Sequence, residues 1–489
     1  MQNTFRKNWR YVAGGVLALL FFGLLSFRLD FFKENMVTNR DADILVNTLP
    51  ERDAWMAISQ EGRKIGYAHK RFFSTESGYR LTEEVFLRIN TMGVSQVLRY
   101  RTEGNLSSGM ALTSFKFNLD SGLFSFAARG AVRDKLLTLY AGAPGEENKV
   151  EVSLKEPVHL AASMFELPRF KGLQPGESRT FSIFDPAAMG ERPVTVSALG
   201  DETVVHQGKS RRARKLSLAF MGAEQFAWVG EDGSILREKG ILGITLDKTT
   251  KREALEGIEE SAAADLTELA SVPANKTIPD PEAIKKLKVK LGNLGKMVFF
   301  LDGDRQTLRD GIVTIRKETM PASPRQGKID KDSPFLKPAP MIQCDHPLIL
   351  SKVKEIVSEA GSDAEKARKI VVWIYKNVRK RPVLSVPNAL ETLTKLVGDC
   401  NEHAVLLAAM ARAAGIPAEV EAGLVYQRGR FYYHAWNALY LGGWVTADAV
   451  LGQMPADVTH IRFVRGTAER QMDMLGLIGR VRLEILDFS

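Results

Sequence analysis

Cys400, His434 and Asp448 supply, in that chain order, the thiol, the imidazole and the carboxylate that a nucleophilic triad needs. The cysteine lies in Gly398-Asp399-Cys400-Asn401-Glu402-His403 and the histidine in Tyr433-His434-Ala435-Trp436. The aspartate closes Trp444-Val445-Thr446-Ala447-Asp448. A thiol attacks a carbonyl carbon only when a base takes its proton, and the base needs a third group to orient it. The 489-residue chain has two cysteines, so Cys344 is the single rival nucleophile.

The elements that must position these groups can be read from local chemistry. Asp399 is a helix N-cap type, and the apolar run Ala404–Met410 ends at Gly415 and Pro417, so a helix is predicted to begin at Cys400. Free N–H groups and the positive end of the helix dipole favour thiolate in that first turn. The Cys400 N–H is also a candidate oxyanion donor. Beyond Pro417 the periodicity turns to alternation. Ala418–Tyr426 and Phe431–Tyr440 read as antiparallel strands joined through Gln427-Arg428-Gly429-Arg430, and Leu441-Gly442-Gly443 turns into a third strand, Trp444–Asp448. His434, Trp436 and Ala438 share one sheet face. With Leu439 opposite Gly443, His434 would lie opposite Asp448, about 5 Å away backbone to backbone. Trp436 is the candidate substrate-binding residue on that face.

These motifs, with Ala413-Ala414-Gly415-Ile416-Pro417 behind the helix and Asn437 after Trp436, resemble the bacterial transglutaminase-like superfamily over roughly Pro347 to Val464. The resemblance implies that Cys400, His434 and Asp448 are catalytic. It also implies a papain-like core in which the cysteine helix packs on an antiparallel sheet. The expected substrate is an amide bond of a protein or peptide. Hydrolysis is expected over crosslinking, because water is always present and an amine needs a second cleft. Where the family follows its aspartate with Pro-Thr, this chain has Ala449-Val450. No cofactor and no metal are expected.

Other readings of the same residues stay open. His403 is nearer to Cys400 in sequence, but it rises from the same helix face and leaves no separate element to carry a base. Cys344, His346, Cys400 and His403 supply the ligand types of a structural zinc site, and the two cysteines could form a disulfide in an oxidising compartment. A rival from another class is a non-catalytic binding scaffold that retains the thiol fold.

For the whole chain the expected class is α+β, with an N-terminal transmembrane helix, a large antiparallel β domain and a C-terminal papain-like core. Tyr11–Phe27 is apolar and uncharged behind Arg6, Lys7 and Arg10, which predicts an uncleaved anchor over 1–35. The remainder would then lie on the periplasmic side of the inner (cytoplasmic) membrane. Alternating runs predict an antiparallel β domain over 50–255, a linker with a small β module over 256–340, the catalytic domain over 341–470 and a tail over 471–489. An envelope partner for the β domain is conceivable by analogy alone. The net charge of +9 is modest for this length and its basic residues are scattered, so nucleic acid is not an expected partner.

Overall fold

Two kinds of periodicity divide the chain, and its architecture follows them. The computed structural model describes residues 50–489, apart from 143–144, 146, 167–172, 187–189, 221–222, 259–263, 296–297, 321–331 and 467–471. They fall into two compact units. One runs through Ser95–Ala264 and the described residues up to and including Asn90; the other is Asp265–Ser489 with the turn Thr91–Val94.

The first unit is a single 15-stranded sheet. Its strands alternate: along Gly78–Thr91, Val85, Leu87 and Ile89 turn inward between more exposed neighbours. Nearly every strand pairs with its sequence neighbour, and the first, Arg52–Gln60, also pairs antiparallel with the last, Ile244–Thr249. Only His159–Leu160 at one end of the order joins its neighbour in parallel.

In the second unit an antiparallel sheet runs in the order Val272–Pro273, Arg430–Tyr440, Ala418–Gln427, Ile461–Arg465, with Trp444–Ala447 also paired to Arg430–Tyr440. The helix Cys400–Ala413 packs against it. Twelve of its 14 residues are buried, so it is a core helix rather than an amphipathic surface one. Fully buried Leu406 and Leu407 contribute about 1.5–3 kcal/mol each. A four-stranded sheet, Gln306–Arg309, Ile312–Arg316, Lys286–Gly292 and Arg482–Phe488, completes the unit. The last of these strands lies in the segment expected to be a tail.

Two expectations are corrected. Among the described residues strand accounts for 51% and helix for 18%, so the fold is mostly β rather than α+β. The reason is that the alternating region builds strands as long as 17 residues, whereas the described helices longer than ten residues all lie between Pro347 and Ala413. The expected anchor at Tyr11–Phe27 lies outside the described residues. Among the described residues no helix is long and apolar enough to cross a membrane. The longest has 15 residues and carries Asp363, Glu365, Lys366, Arg368, Lys369 and Lys376. The expected single-pass inner-membrane placement thus finds no spanning helix among the described residues.

Candidate active site

The cysteine helix starts where its capping chemistry dictates. Asp399 accepts from the Asn401 N–H at 3.0 Å, and Glu402 Oε2 accepts from the Asp399 N–H at 2.9 Å, a reciprocal capping box. The helix ends at Ala413, with Gly415 at φ 80°. Cys400 is fully buried; Asn401 Nδ2 donates to its Sγ at 3.6 Å, and the backbone amide of Ala435, next to His434, also bonds the thiol. Burial, and then the Asp399 carboxylate, pushes the thiol well above its ordinary value. The helix start therefore does not hold a thiolate at rest, contrary to the expectation from the dipole. At this capped terminus the Asn401 N–H is already given to Asp399, and desolvation outweighs the remaining partial charge. Asp399 is itself raised, by burial and then by Glu402.

The histidine strand is fixed at both ends. Arg428 and Gly429, at φ 46° and 85°, form a two-residue hairpin turn with both residues in the left-handed region. This sets Gly423 opposite His434. Gly423 has no room for a side chain: a Cβ would stand 1.9 Å from the Ile461 carbonyl oxygen and 2.9 Å from the Trp436 ring. Asn437 Nδ2 donates to the Ala404 carbonyl of the helix at 2.9 Å and to the Glu419 carbonyl at 3.3 Å, tying helix to sheet.

The second hairpin closes one position later on each strand than expected. Tyr440 pairs with Trp444 and Asn437 with Ala447, leaving Leu441, Gly442 and Gly443 as the loop. Asp448 is therefore a diagonal neighbour of His434. The shift of two residues preserves the side-chain face, and diagonal pairs remain within reach. His434 Nε2 lies 2.7 Å from Asp448 Oδ2, with both side chains fully buried. The other ring nitrogen, Nδ1, is buried without a hydrogen-bond partner. Asp448 Oδ1 accepts from the N–H groups of Val450 at 2.7 Å and Leu451 at 3.0 Å, so the backbone of Val450-Leu451 supports the carboxylate.

A fourth residue, absent from the sequence reading, joins them. His460 Nε2 lies 3.0 Å from the same Asp448 Oδ2, and its Nδ1 lies 3.3 Å from Asp457 Oδ1. Burial alone would lower the His460 pKa, but Asp457 and Asp448 outweigh it and raise it to about 9. Burial likewise opposes ionisation of Asp448, yet His434 and His460 hold its carboxyl well below the usual range. The only sequence signal was Asp457-x-x-His460 ahead of an apolar strand, which by itself says little.

His434, Asp448 and His460 are also the one cluster of metal-ligand types among the described residues. The geometry favours proton sharing. Two ligands bound tetrahedrally to one zinc stand about 3.3 Å apart, whereas the His434 nitrogen and Asp448 oxygen are 2.7 Å apart. The four residues weighed as a zinc site do not come together. The Cys344 thiol donates to the Leu336 carbonyl at 3.7 Å, and His346 caps a helix by accepting from the Leu348 N–H at 3.2 Å. Both cysteines are free thiols. His403 Nδ1 faces the Asp399 carbonyl at 2.5 Å, and burial lowers its pKa to about 4, which marks a neutral core histidine.

Trp436 is 1% exposed and offers no surface to a ligand in this state. Its ring lies 6.1 Å from that of His434, near-parallel, and 5.1 Å from that of His460, near-perpendicular. The indole N–H donates to Glu421 Oε2 at 2.6 Å. Glu421 in turn pairs with Arg462 at 3.1 Å and Arg465 at 2.6 Å, and both arginines reach Asp304. Arg305 donates to the carbonyls of Ala456 at 2.6 Å and His460 at 3.1 Å. The small β module thereby clasps the loop and strand that deliver His460.

Residues 351–449 match the transglutaminase-like superfamily. A kyphoscoliosis peptidase of Mus musculus is 30% identical over 129 residues, 23% of this chain and 19% of the mouse protein. The chain thus spans about a fifth of the length of that curated relative. A candidate cysteine protease from Cytophaga hutchinsonii aligns over 42% of this chain and 86% of its own, at 17% identity and TM-score 0.27. A β-barrel-like protein of a domain of unknown function from Brucella abortus aligns over 41% of this chain and 95% of its own, at 12% identity and TM-score 0.32.

Proposed function

We infer, from a chain that carries a transglutaminase-like domain over residues 351–449, a thiol enzyme that cleaves amide bonds of proteins or peptides. Cys400 Sγ adds to the amide carbonyl carbon while His434 Nδ1 takes the thiol proton. Collapse of the tetrahedral adduct breaks the C–N bond, and the same proton passes to the leaving amine. The resulting thioester is cleaved by water, which restores the thiol and releases the acid. Asp448 holds the imidazole with Nδ1 turned to the thiol and stabilises the imidazolium. The Cys400 N–H is offered as an oxyanion donor.

One observation carries this reading: His434 binds Asp448 through Nε2 at 2.7 Å and keeps Nδ1 buried and unpartnered, on the strand whose next amide touches Cys400 Sγ. Hydrolysis is preferred to crosslinking, since water needs no second cleft. The full burial of Cys400, His434 and Asp448 favours the opposing reading, a non-catalytic scaffold. Iodoacetamide alkylation of Cys400 against pH, in Cys344→Ala with and without His434→Ala, separates the two. Alkylation that persists well below about pH 8.5, the ordinary thiol value, and is lost with the imidazole supports the enzyme. A slow rate indifferent to His434 supports the scaffold.

A further inference from the structure

Lys116 and Arg129 stand directly opposite each other on neighbouring strands of the 15-stranded sheet, Leu112–Asp120 and Ser125–Arg133. Like charges in that relationship destabilise a sheet, and a carboxylate beside them would relieve the repulsion. Glu103 lies opposite Lys116 on the next strand, yet its Oε1 accepts from Arg101 Nε at 2.8 Å. No ion pair joins Lys116 or Arg129 to a carboxylate among the described residues. We propose that the groove they line is a binding site for a phosphate-bearing ligand. The site lies within the first unit and is independent of the thiol chemistry.

The groove holds about 620 Å³, within the range of small-molecule sites. Arg80 and Arg133 join Lys116 and Arg129 along it, so four cations face one acid, Glu103. Ser114 and Ala131 lie among them, and their small side chains keep the floor near the backbone. Two arrangements hold donors ready. Arg129 sits over the Tyr140 ring, 4.5 Å from its centroid, which places the guanidinium without neutralising it. Arg80 can only donate, so its Nε–H draws Asn105 Oδ1 towards it at 3.0 Å. The amide nitrogen of Asn105 must then face Ser114 Oγ, to which it donates at 2.8 Å. Ser114 Oγ is thereby an acceptor, and its own proton has no acceptor among the described residues. That proton is left for a ligand.

The donor set favours phosphate over carboxylate. A carboxylate is flat and is satisfied by one bidentate guanidinium. Here the donors rise from three strands: Arg80 from Gly78–Thr91, Ser114 and Lys116 from Leu112–Asp120, Arg129 and Arg133 from Ser125–Arg133. Side chains two or four residues apart on a strand share its face, so all of these pairs address the same groove. A tetrahedral oxyanion can accept on several oxygens from several directions at once. The groove is roomier than a single phosphate needs, which suits a diphosphate or a phosphate ester with an organic part. Bound there, the anion would stand where Glu103 does not, between two cations that otherwise repel.

The test is calorimetric titration of the full chain with sodium pyrophosphate at about 0.15 M salt, which screens loose attraction between exposed charges. Saturable binding with Kd at or below about 1 mM is expected. Lys116→Gln combined with Arg129→Gln should weaken it at least about tenfold. Both positions are exposed and the pair is repulsive, so this variant is expected to resist urea at least as well as the parent. Lys209→Gln combined with Arg211→Gln removes the same charge from exposed positions on the strand Lys209–Phe220 and should leave binding unchanged. Ser114→Ala alters no charge and should weaken binding about fivefold. A lipid headgroup could present the same chemistry, so sedimentation with phosphatidylcholine vesicles, with and without phosphatidate, forms a second arm read with the same variants. Binding of pyrophosphate, lost with Lys116 and Arg129, supports the site with a soluble ligand. Binding to phosphatidate vesicles alone, lost in the same way, supports it with a headgroup. No saturable binding in either arm overturns the proposal. So does equal weakening by the two double variants, or full affinity in Ser114→Ala, since either would leave only diffuse charge.

Discussion

Trp436 and Glu421 face each other across the central strand pair, and the indole N–H donates to Glu421 Oε2 at 2.6 Å. The carboxylate is 1% exposed and ionised: burial opposes its charge, but Arg465, Arg462 and Arg305 outweigh it and lower its pKa. Removing one member of a buried, paired network leaves the others uncompensated. Glu421→Ala is therefore expected to destabilise the unit by about 3–5 kcal/mol, measured by urea unfolding. Trp436→Phe keeps the ring beside His434 and removes only the donor, with an expected loss of about 1–3 kcal/mol. Equal losses in the two variants would refute an ionic role for Glu421.

Asn437 joins the cysteine helix to the histidine strand through the Ala404 carbonyl at 2.9 Å. Truncation leaves a buried carbonyl without that donor, at a cost of about 1–3 kcal/mol. Asn437→Ala should also loosen the placement of Sγ against His434. The His434-dependent part of Cys400 alkylation is expected to fall at least about tenfold, since small misplacement is costly in such pairs. Retention of the full rate would show that the helix is held in place without this bond.

What could be read in advance was what local chemistry decides. Asp399, Gly415 and Pro417 bound the helix because capping and chain stiffness act within a turn. Arg428-Gly429 marks a hairpin because its backbone needs positive φ. Alternation put His434 and Trp436 on one face, and the two-residue change of register left that intact because the strand period is two. Choosing between two closures of Leu441-Gly442-Gly443 required the packing around it. The state of the thiol required its burial, which no neighbour in sequence reports. His460 required knowledge that the chain returns to Asp448 after the Gln453 bridge. Pairing of Arg52–Gln60 with Ile244–Thr249 joins segments nearly two hundred residues apart, beyond any local pattern.

Access to the site should depend on Ser385. Cys400 is fully buried, as are Val383 and Leu384 in the segment before it. Ser385 Oγ donates to Glu402 Oε1 in the first turn of the cysteine helix, and so tethers that segment to the helix. Losing a hydrogen bond of about 1 kcal/mol from the closed state would raise the open fraction about fivefold. Ser385→Ala is thus expected to speed Cys400 alkylation about fivefold at constant pH. An unchanged rate would show that access does not follow this tether.

The pH dependence of stability should carry the signature of His460. Its folded pKa, about 9, is raised above the ordinary value of 6.5. The folded state then binds the extra proton between those values, so the contribution is fully present below about pH 6.5. It is lost as pH rises through about 9, and its size is of the order of 3 kcal/mol. Lys380 works against this: burial lowers its pKa to about 8, so its penalty fades as pH rises from there to the ordinary lysine range. His403, lowered to about 4, changes stability only on the acid side, where falling pH protonates the unfolded chain first. These terms are common to wild type and His460→Gln, so the difference between the two proteins isolates His460. Urea unfolding at about pH 6, 7.5 and 9.5 should show the largest gap at the lowest pH and a shrinking gap above. A gap independent of pH would mean that His460 contributes packing without charge.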